Sequence, residues 1–92
     1  MPQIFRIGAF VVYFWSNENN PIEPVHVHVS EGRAIPNATK LWITSSGKAL
    51  ICNNNSKIPS KMLKNIVRHI EANSDLILDK WQEQFGELKY YC

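Results

Sequence analysis

The sequence predicts an α+β fold, an antiparallel sheet of about five strands followed by two C-terminal helices packed on one face. Two observations lead to this prediction. Before residue 56 the apolar residues occur in short blocks separated by Gly, Pro and Asn, which is typical of strands. After the NNNSKIP stretch they recur every three or four positions, which is typical of amphipathic helices.

Five segments of the first part of the chain are predicted to be strands. The pair Gly8-Ala9 predicts a tight turn between the first two strands, and Ser45–Gly47 predicts another between the last two. The connection Ser16–Pro24 is longer than the usual hairpin loop of about two to five residues, and long loops in small domains often have a function. The predicted strands are Ile4–Ile7, Phe10–Trp15, Val25–Ser30, Thr39–Thr44 and Lys48–Cys52.

Two helices are predicted after the strands. Pro59 suits the first turn of one helix, and Ser74 is the expected N-cap of the next. Gly86 is expected to end the second helix. Each helix should bury one apolar stripe. The two stripes consist of Met62, Leu63, Ile66, Val67 and Ile70, and of Ile77, Trp81 and Phe85.

Size and composition predict a single domain over residues 1–92, located in the cytoplasm. The net charge of +2 is too small to indicate nucleic-acid binding unless the cations cluster. The two cysteines, Cys52 and Cys92, form no disulfide framework and are expected as free thiols in a reducing compartment. The apolar run Ala9–Trp15 is too short to span a membrane and lacks the basic flank of a signal peptide.

Side chains alternate along a strand, so the predicted sheet has two different faces. An apolar set should face the helices: Phe10, Val12, Phe14, Val25, Val27, Val29, Leu41 and Ile43. The other set mixes aromatic, basic and imidazole groups and should lie on the helix-free face. Its members are Arg6, Tyr13, Trp15, His26, His28, Lys40 and Trp42.

His26 and His28 are alternate residues of one predicted strand, so their Cα atoms should lie about 6.5–7 Å apart on the same face. Two imidazoles at that spacing can bind one metal ion, although a zinc site normally needs three protein ligands. Glu18 and Glu23 are candidates for the third ligand, and His69 is a more distant one. Without metal, the histidines would form hydrogen bonds, contact a partner or substrate, or act in acid–base chemistry with Glu18.

The helix-free face also has the composition of a binding surface. Trp, Tyr and Arg are enriched in protein–protein hot spots, while aromatic and basic side chains together also bind single-stranded nucleic acid. Dimerisation through this face is a further alternative. The basic stripe of Lys61, Lys64 and Arg68 on the first predicted helix is expected to be a solvated surface.

Several motifs together resemble the bacterial domain of unknown function 4160 family. They are VYFWSNE, EPVHVHV, ATKLWIT, NNNSKIP and DKWQEQFG, and the resemblance runs from Ile4 to Gly86. Pro21 and Ile22 lengthen the connection between Glu18 and Glu23 relative to the family pattern. The resemblance implies a small bacterial or mobile-element protein of a toxin–antitoxin-like type, without an assigned activity. The family pattern falls on Ser16, Asn17, Glu18, Glu23, Pro24, His26, His28, Lys40, Trp42 and Trp81.

The sequence therefore favours a non-enzymatic interaction module that requires no cofactor and binds a protein partner through the helix-free face. Nucleic acid and a second copy are alternative partners, and no membrane is expected. The alternative function is a small metal-dependent hydrolase or nuclease, in which His26 and His28 bind a divalent ion and Glu18 or Glu23 completes the site. The expected binding surface consists of Arg6, Tyr13, Trp15, Glu18, Glu23, His26, His28, Lys40 and Trp42.

Overall fold

A computed structural model describes residues 3–16 and 23–92 of the chain. Five antiparallel strands are followed by two helices, which confirms the predicted α+β fold. Among the described helices, none combines the length and the apolar character needed to cross a membrane. The elements are β1 (Gln3–Ile7), β2 (Phe10–Tyr13), β3 (His26–Glu31), β4 (Thr39–Ile43), β5 (Ala49–Asn53), α1 (Ser60–Ala72) and α2 (Ser74–Phe85).

The strands lie side by side in chain order, so each is hydrogen-bonded to its sequence neighbour. In the centre of the sheet His28 lies between Tyr13 of β2 and Lys40 of β4. Two pairs further along, His26 lies opposite Trp42. Cross-strand partners project to the same side of a sheet, so these five residues share one face, as the alternation predicts.

Both helices pack on the opposite face, which carries Val25, Val27 and Val29 as predicted. The three valines are fully buried, and so are Ile66 of α1 and Trp81 of α2. Burial of apolar side chains from all these elements in one cluster is the main stabilising contribution to the fold. The rest of the buried cluster consists of Ile7, Val12, Phe14, Leu41, Ile43, Ile58, Leu63, Ile70 and Ile77.

The helix ends show two predictions that are wrong by one residue and one that is confirmed. Pro59 was expected in the first turn of α1, but it is the N-cap and Ser60 is the first helical residue. Ser74 was expected to be the N-cap of α2, but Asn73 occupies that position and Ser74 is the first helical residue. The Asn73 side chain makes no N-cap bond to α2; its Nδ2 donates to the carbonyl of His69, at 2.8 Å, at the end of α1. Gly86 ends α2 in the left-handed conformation, and its N–H donates to the Gln82 carbonyl at 2.8 Å.

Candidate functional site

The helix-free face of the sheet is largely covered, which corrects the expectation that it is an open surface. Tyr13 and His26 are completely buried, and His28 is only 9 % exposed. Two segments provide the cover. One is the loop between β3 and β4, and the other is the C-terminal segment, defined here as residues 87–92. Both restrict which side chains can meet a ligand.

The loop between β3 and β4 folds over Tyr13. The Tyr13 hydroxyl donates to the Ile35 carbonyl at 2.8 Å and accepts from the Ile35 N–H at 3.1 Å. Val11 and Ala38 pack with the Tyr13 ring in a second, smaller apolar cluster. Tyr13 was predicted as an exposed contact residue, and this prediction is wrong because both its ring and its hydroxyl are satisfied within the chain.

The C-terminal segment lies along the opposite end of the same face. The N–H of Val25 donates to the Lys89 carbonyl at 2.7 Å, and the N–H of Ser45 donates to the Cys92 carbonyl at 3.0 Å. Tyr91 stacks on Trp42 with ring centroids 4.9 Å apart and ring planes 3° apart. One face of the Trp42 indole is therefore occupied by the protein itself.

His26 is held in a fixed orientation by its neighbours. Its Nδ1 lies 2.9 Å from the Pro24 carbonyl, and since a carbonyl only accepts, Nδ1 carries the proton. Its Nε2 lies 3.9 Å from Oε2 of Glu23, close enough for an ion pair whenever the imidazole is protonated. Strand β2 ends at Tyr13, opposite His28, so the indole of Trp81 can approach the His26 ring to 5.2 Å.

His28 is mostly buried, but it lines a cavity on this face. The ring lies 5.1 Å from that of His26 and is stacked at 5.7 Å on Tyr13. Beside it lies a shallow cavity of about 610 Å³, here called the helix-free groove. Three of the predicted residues, Trp15, His28 and Lys40, line it together. The complete lining is Trp15, His28, Pro36, Asn37, Ala38, Lys40, Asn53 and Asn55.

The positive charge of Lys40 is already engaged within the chain. Its Nζ lies 3.8 Å from Oε1 of Glu23 and 4.4 Å from the centroid of the Trp42 ring. Glu23 therefore approaches both Lys40 and His26, through different carboxylate oxygens. The negative charge of Glu23 offsets the positive charge of Lys40 beside the groove, and this reduces the attraction of the groove for anionic ligands.

Comparison with known proteins places the chain in a family. The model of the family described as "Domain of unknown function (DUF4160)" matches residues 9–82. The chain belongs to this family. The match includes β2 to β5 and α1, whereas β1 and the C-terminal segment lie outside it. No curated protein and no solved structure matches the chain significantly.

The DUF4160 motif residues do not all gather in one place. Glu23, His26, His28, Lys40 and Trp42 form a connected group through the contacts given above. Glu18 and Asn17 lie outside the described residues, and so does most of the Ser16–Pro24 connection. Among the residues that are described, no group of three or more His, Cys, Asp or Glu side chains could hold a metal ion.

Arg6 lies opposite Val11 on the helix-free face, but it does not line the groove. Both of its terminal nitrogens donate to the Gly32 carbonyl, at 3.2 and 2.7 Å, so the guanidinium fastens β1 to the turn after β3. Sequence reasoning also missed part of the groove, namely the amide side chains of Asn37, Asn53 and Asn55. The run Asn53–Asn55 was a signal for them, but it was used as part of a family motif and was not included in the predicted binding surface.

Proposed function

We propose that this member of the DUF4160 family is a non-enzymatic interaction module that binds a protein partner through the helix-free groove. The lining of the groove carries this proposal, since the partly buried indole of Trp15 lies among the amide groups of Asn53 and Asn55. A tryptophan within a polar rim is the typical composition of a protein–protein hot spot. Amides also bind a peptide backbone, because each offers one acceptor and two donors.

The state of Lys40 favours a protein over nucleic acid. Nucleic-acid binding depends on cations that are free to contact phosphates. Lys40 instead faces the carboxylate of Glu23 at 3.8 Å, and this carboxylate would repel a phosphate. The proposed setting is a bacterial cytoplasm and a toxin–antitoxin-like or mobile-element system, as the family resemblance implies. The free thiols of Cys52 and Cys92 are consistent with a reducing compartment.

Peptides selected from a random phage-displayed library against the protein would test this function. We expect selected peptides to shift the backbone amide resonances of Trp15, Asn53 and Asn55. Trp15→Ala should weaken their binding by about tenfold or more, as for a hot-spot residue. Leu88→Ala is the matched control, because Leu88 is an exposed apolar residue that does not line the groove. Equal binding by the two variants would contradict the proposal.

A mixed-sequence single-stranded DNA serves as the second probe. If the protein binds this DNA, and if the binding is lost in Lys40→Ala and falls steeply with added salt, the partner is nucleic acid and not protein. The salt dependence is expected because phosphate contacts release counterions. A protein partner bound mainly through Trp15 predicts only a modest salt dependence.

The fixed tautomer of His26 supports a second candidate function, a metal-dependent hydrolase or nuclease. Metal-binding imidazoles commonly donate the other ring N–H to a carbonyl, as Nδ1 of His26 does to Pro24. Metal analysis of protein purified without a histidine tag separates the two functions. One tightly bound zinc, manganese or nickel ion per chain, lost in both His26→Ala and His28→Ala, would overturn the non-enzymatic proposal.

A further inference from the structure

Strand β5 forms one edge of the described sheet and has β4 as its neighbour there. Its pairing with β4 fixes the direction of its peptide groups. Thr44 N–H donates to the Lys48 carbonyl at 2.8 Å, and the register continues as Ile43 opposite Ala49 and Leu41 opposite Ile51. Hydrogen-bonded and non-hydrogen-bonded pairs alternate in an antiparallel ladder. The peptide groups of Ala49 and Ile51 therefore point away from β4, towards the outside of the sheet.

This edge lacks two of the usual protections against strand addition, although its pairing with β4 shifts register at Cys52, between Ile51 opposite Leu41 and Asn53 opposite Lys40. Edge strands commonly carry a charged residue or a proline that prevents pairing with another chain. The sequence of β5, ALICN, contains neither. Leu50 is 41 % exposed and Ile51 is 50 % exposed, and they lie on opposite faces because they are consecutive residues of a strand. An added strand would cover apolar surface on both faces.

A groove of about 370 Å³ runs between this edge and α1. Its wall on the helix side consists of Leu63 and Val67, Ile51 lines the strand side, and Lys64 lies among the lining residues. A side chain that projects from an added strand towards the helices would enter this groove. The edge thus offers both backbone pairing and a side-chain pocket, the two components of recognition by strand addition.

The N–H of Ala49, which points away from β4, already has a hydrogen-bond acceptor within the chain. Oε2 of Glu71, on α1, accepts a hydrogen bond from the N–H of Ala49 at 2.9 Å. A carbonyl oxygen of an added strand would approach the same N–H. Glu71 thus occupies the position of the first acceptor, and it can be displaced because its side chain is only partly buried.

The charges around the edge indicate the chemistry of the partner. Residues 48–71 contain five exposed cations and one carboxylate, a net charge of +4, whereas the whole chain carries +2. A second copy paired through β5 would bring these like charges together, because two-fold pairing places the same surface of both chains in contact. An acidic partner is attracted instead. The cations are Lys48, Lys57, Lys61, Lys64 and Arg68. Lys48 directly precedes β5 and Lys64 lines the groove, whereas Lys61 and Arg68 line a separate cavity beside Met62.

We propose that β5 accepts a sixth strand from an acidic partner. The partner segment is an extended peptide in which apolar residues alternate with carboxylates. Its apolar side chains enter the groove between Ile51 and α1, its carboxylates meet Lys48 and Lys64, and its carbonyl replaces Glu71 at the N–H of Ala49. This surface goes beyond the helix-free groove and touches it only at Asn53, the last residue of β5.

The probe is a short fluorescein-labelled peptide of alternating valine and glutamate, titrated by fluorescence anisotropy. We expect it to bind, and we expect the same peptide with lysine in place of glutamate to bind at least about tenfold more weakly. N-methylation of alternate backbone nitrogens should weaken the acidic peptide at least as much, because it removes the donors that pair with the edge.

Two protein variants locate the site. Ile51→Lys places a charge on the edge and should lower affinity at least about tenfold, although it adds a cation. Met62→Lys adds the same charge at a similarly exposed position of α1 that does not line this groove, and it should bind at least as well as the unchanged protein. Equal affinity of the two variants, or of the methylated and unmethylated peptides, would overturn the proposal. A dimer in sedimentation that Ile51→Lys abolishes would overturn it as well, in favour of a second copy.

Discussion

The side chain of Trp81 contacts residues from both faces of the sheet. Its ring is fully buried and lies 5.1 Å from Phe14 of the sheet side, 4.4 Å from Phe85 of α2 and 5.2 Å from His26. It therefore contacts the apolar core and also one of the histidines of the opposite face. A functional residue would be expected to face solvent, so this placement supports a structural role for the DUF4160 motif tryptophan.

Trp81→Ala should therefore damage the fold. Loss of a buried aromatic side chain typically costs about 3–5 kcal/mol of the free energy of unfolding. Denaturant unfolding followed by circular dichroism measures this cost. Gln84→Ala is the control on the same helix, since this exposed side chain should change the free energy by no more than about 0.5 kcal/mol. An unchanged unfolding midpoint in Trp81→Ala would contradict the structural role.

The C-terminal segment is the element that most changes the helix-free face. It supplies acceptors to the N–H groups of Val25 and Ser45 and stacks Tyr91 on Trp42. Removal of residues 87–92 should lower the free energy of unfolding by about 2–3 kcal/mol, from two hydrogen bonds and one aromatic stack. Urea unfolding of the truncated chain against Tyr91→Leu separates the backbone bonds from the stack. A truncated chain as stable as the full one would show that the segment contributes nothing.

Elements whose apolar residues recur at a regular spacing were predicted correctly, whereas contacts made by segments without such a spacing were missed. The alternation of Val25, Val27 and Val29 gave the correct face of the sheet, and the four-residue spacing of Ile77, Trp81 and Phe85 gave the buried side of α2. The burial of His26 could not be predicted in this way, because it depends on the Trp42 and Trp81 rings, which pack against it from other elements. The position of residues 87–92 could not be predicted either. Their apolar residues show no regular spacing, and backbone hydrogen bonds to residues distant in sequence fix their position.

At the scale of the whole molecule, one apolar cluster connects the sheet to both helices. It includes Val12, Val27 and Leu41 from three strands, Ile66 from α1 and Trp81 from α2. Elements that share one core should unfold together. We expect far-ultraviolet circular dichroism, which follows the helices, and near-ultraviolet circular dichroism, which follows the packed aromatic rings, to give the same urea midpoint. Two separate midpoints would show that the helices can leave the sheet independently.

The three tryptophans lie in three different surroundings, so intrinsic tryptophan fluorescence can report on different parts of the protein. Trp15 lines the helix-free groove, Trp42 lies under Tyr91, and Trp81 is sealed in the core. Indole emission shifts to the blue when water is removed from the ring. A ligand in the groove would shift the emission of Trp15 without altering that of Trp81, whereas unfolding would shift all three to the red. Ligand binding in the groove and unfolding are therefore distinguishable by the shift of the tryptophan emission maximum in an unlabelled sample.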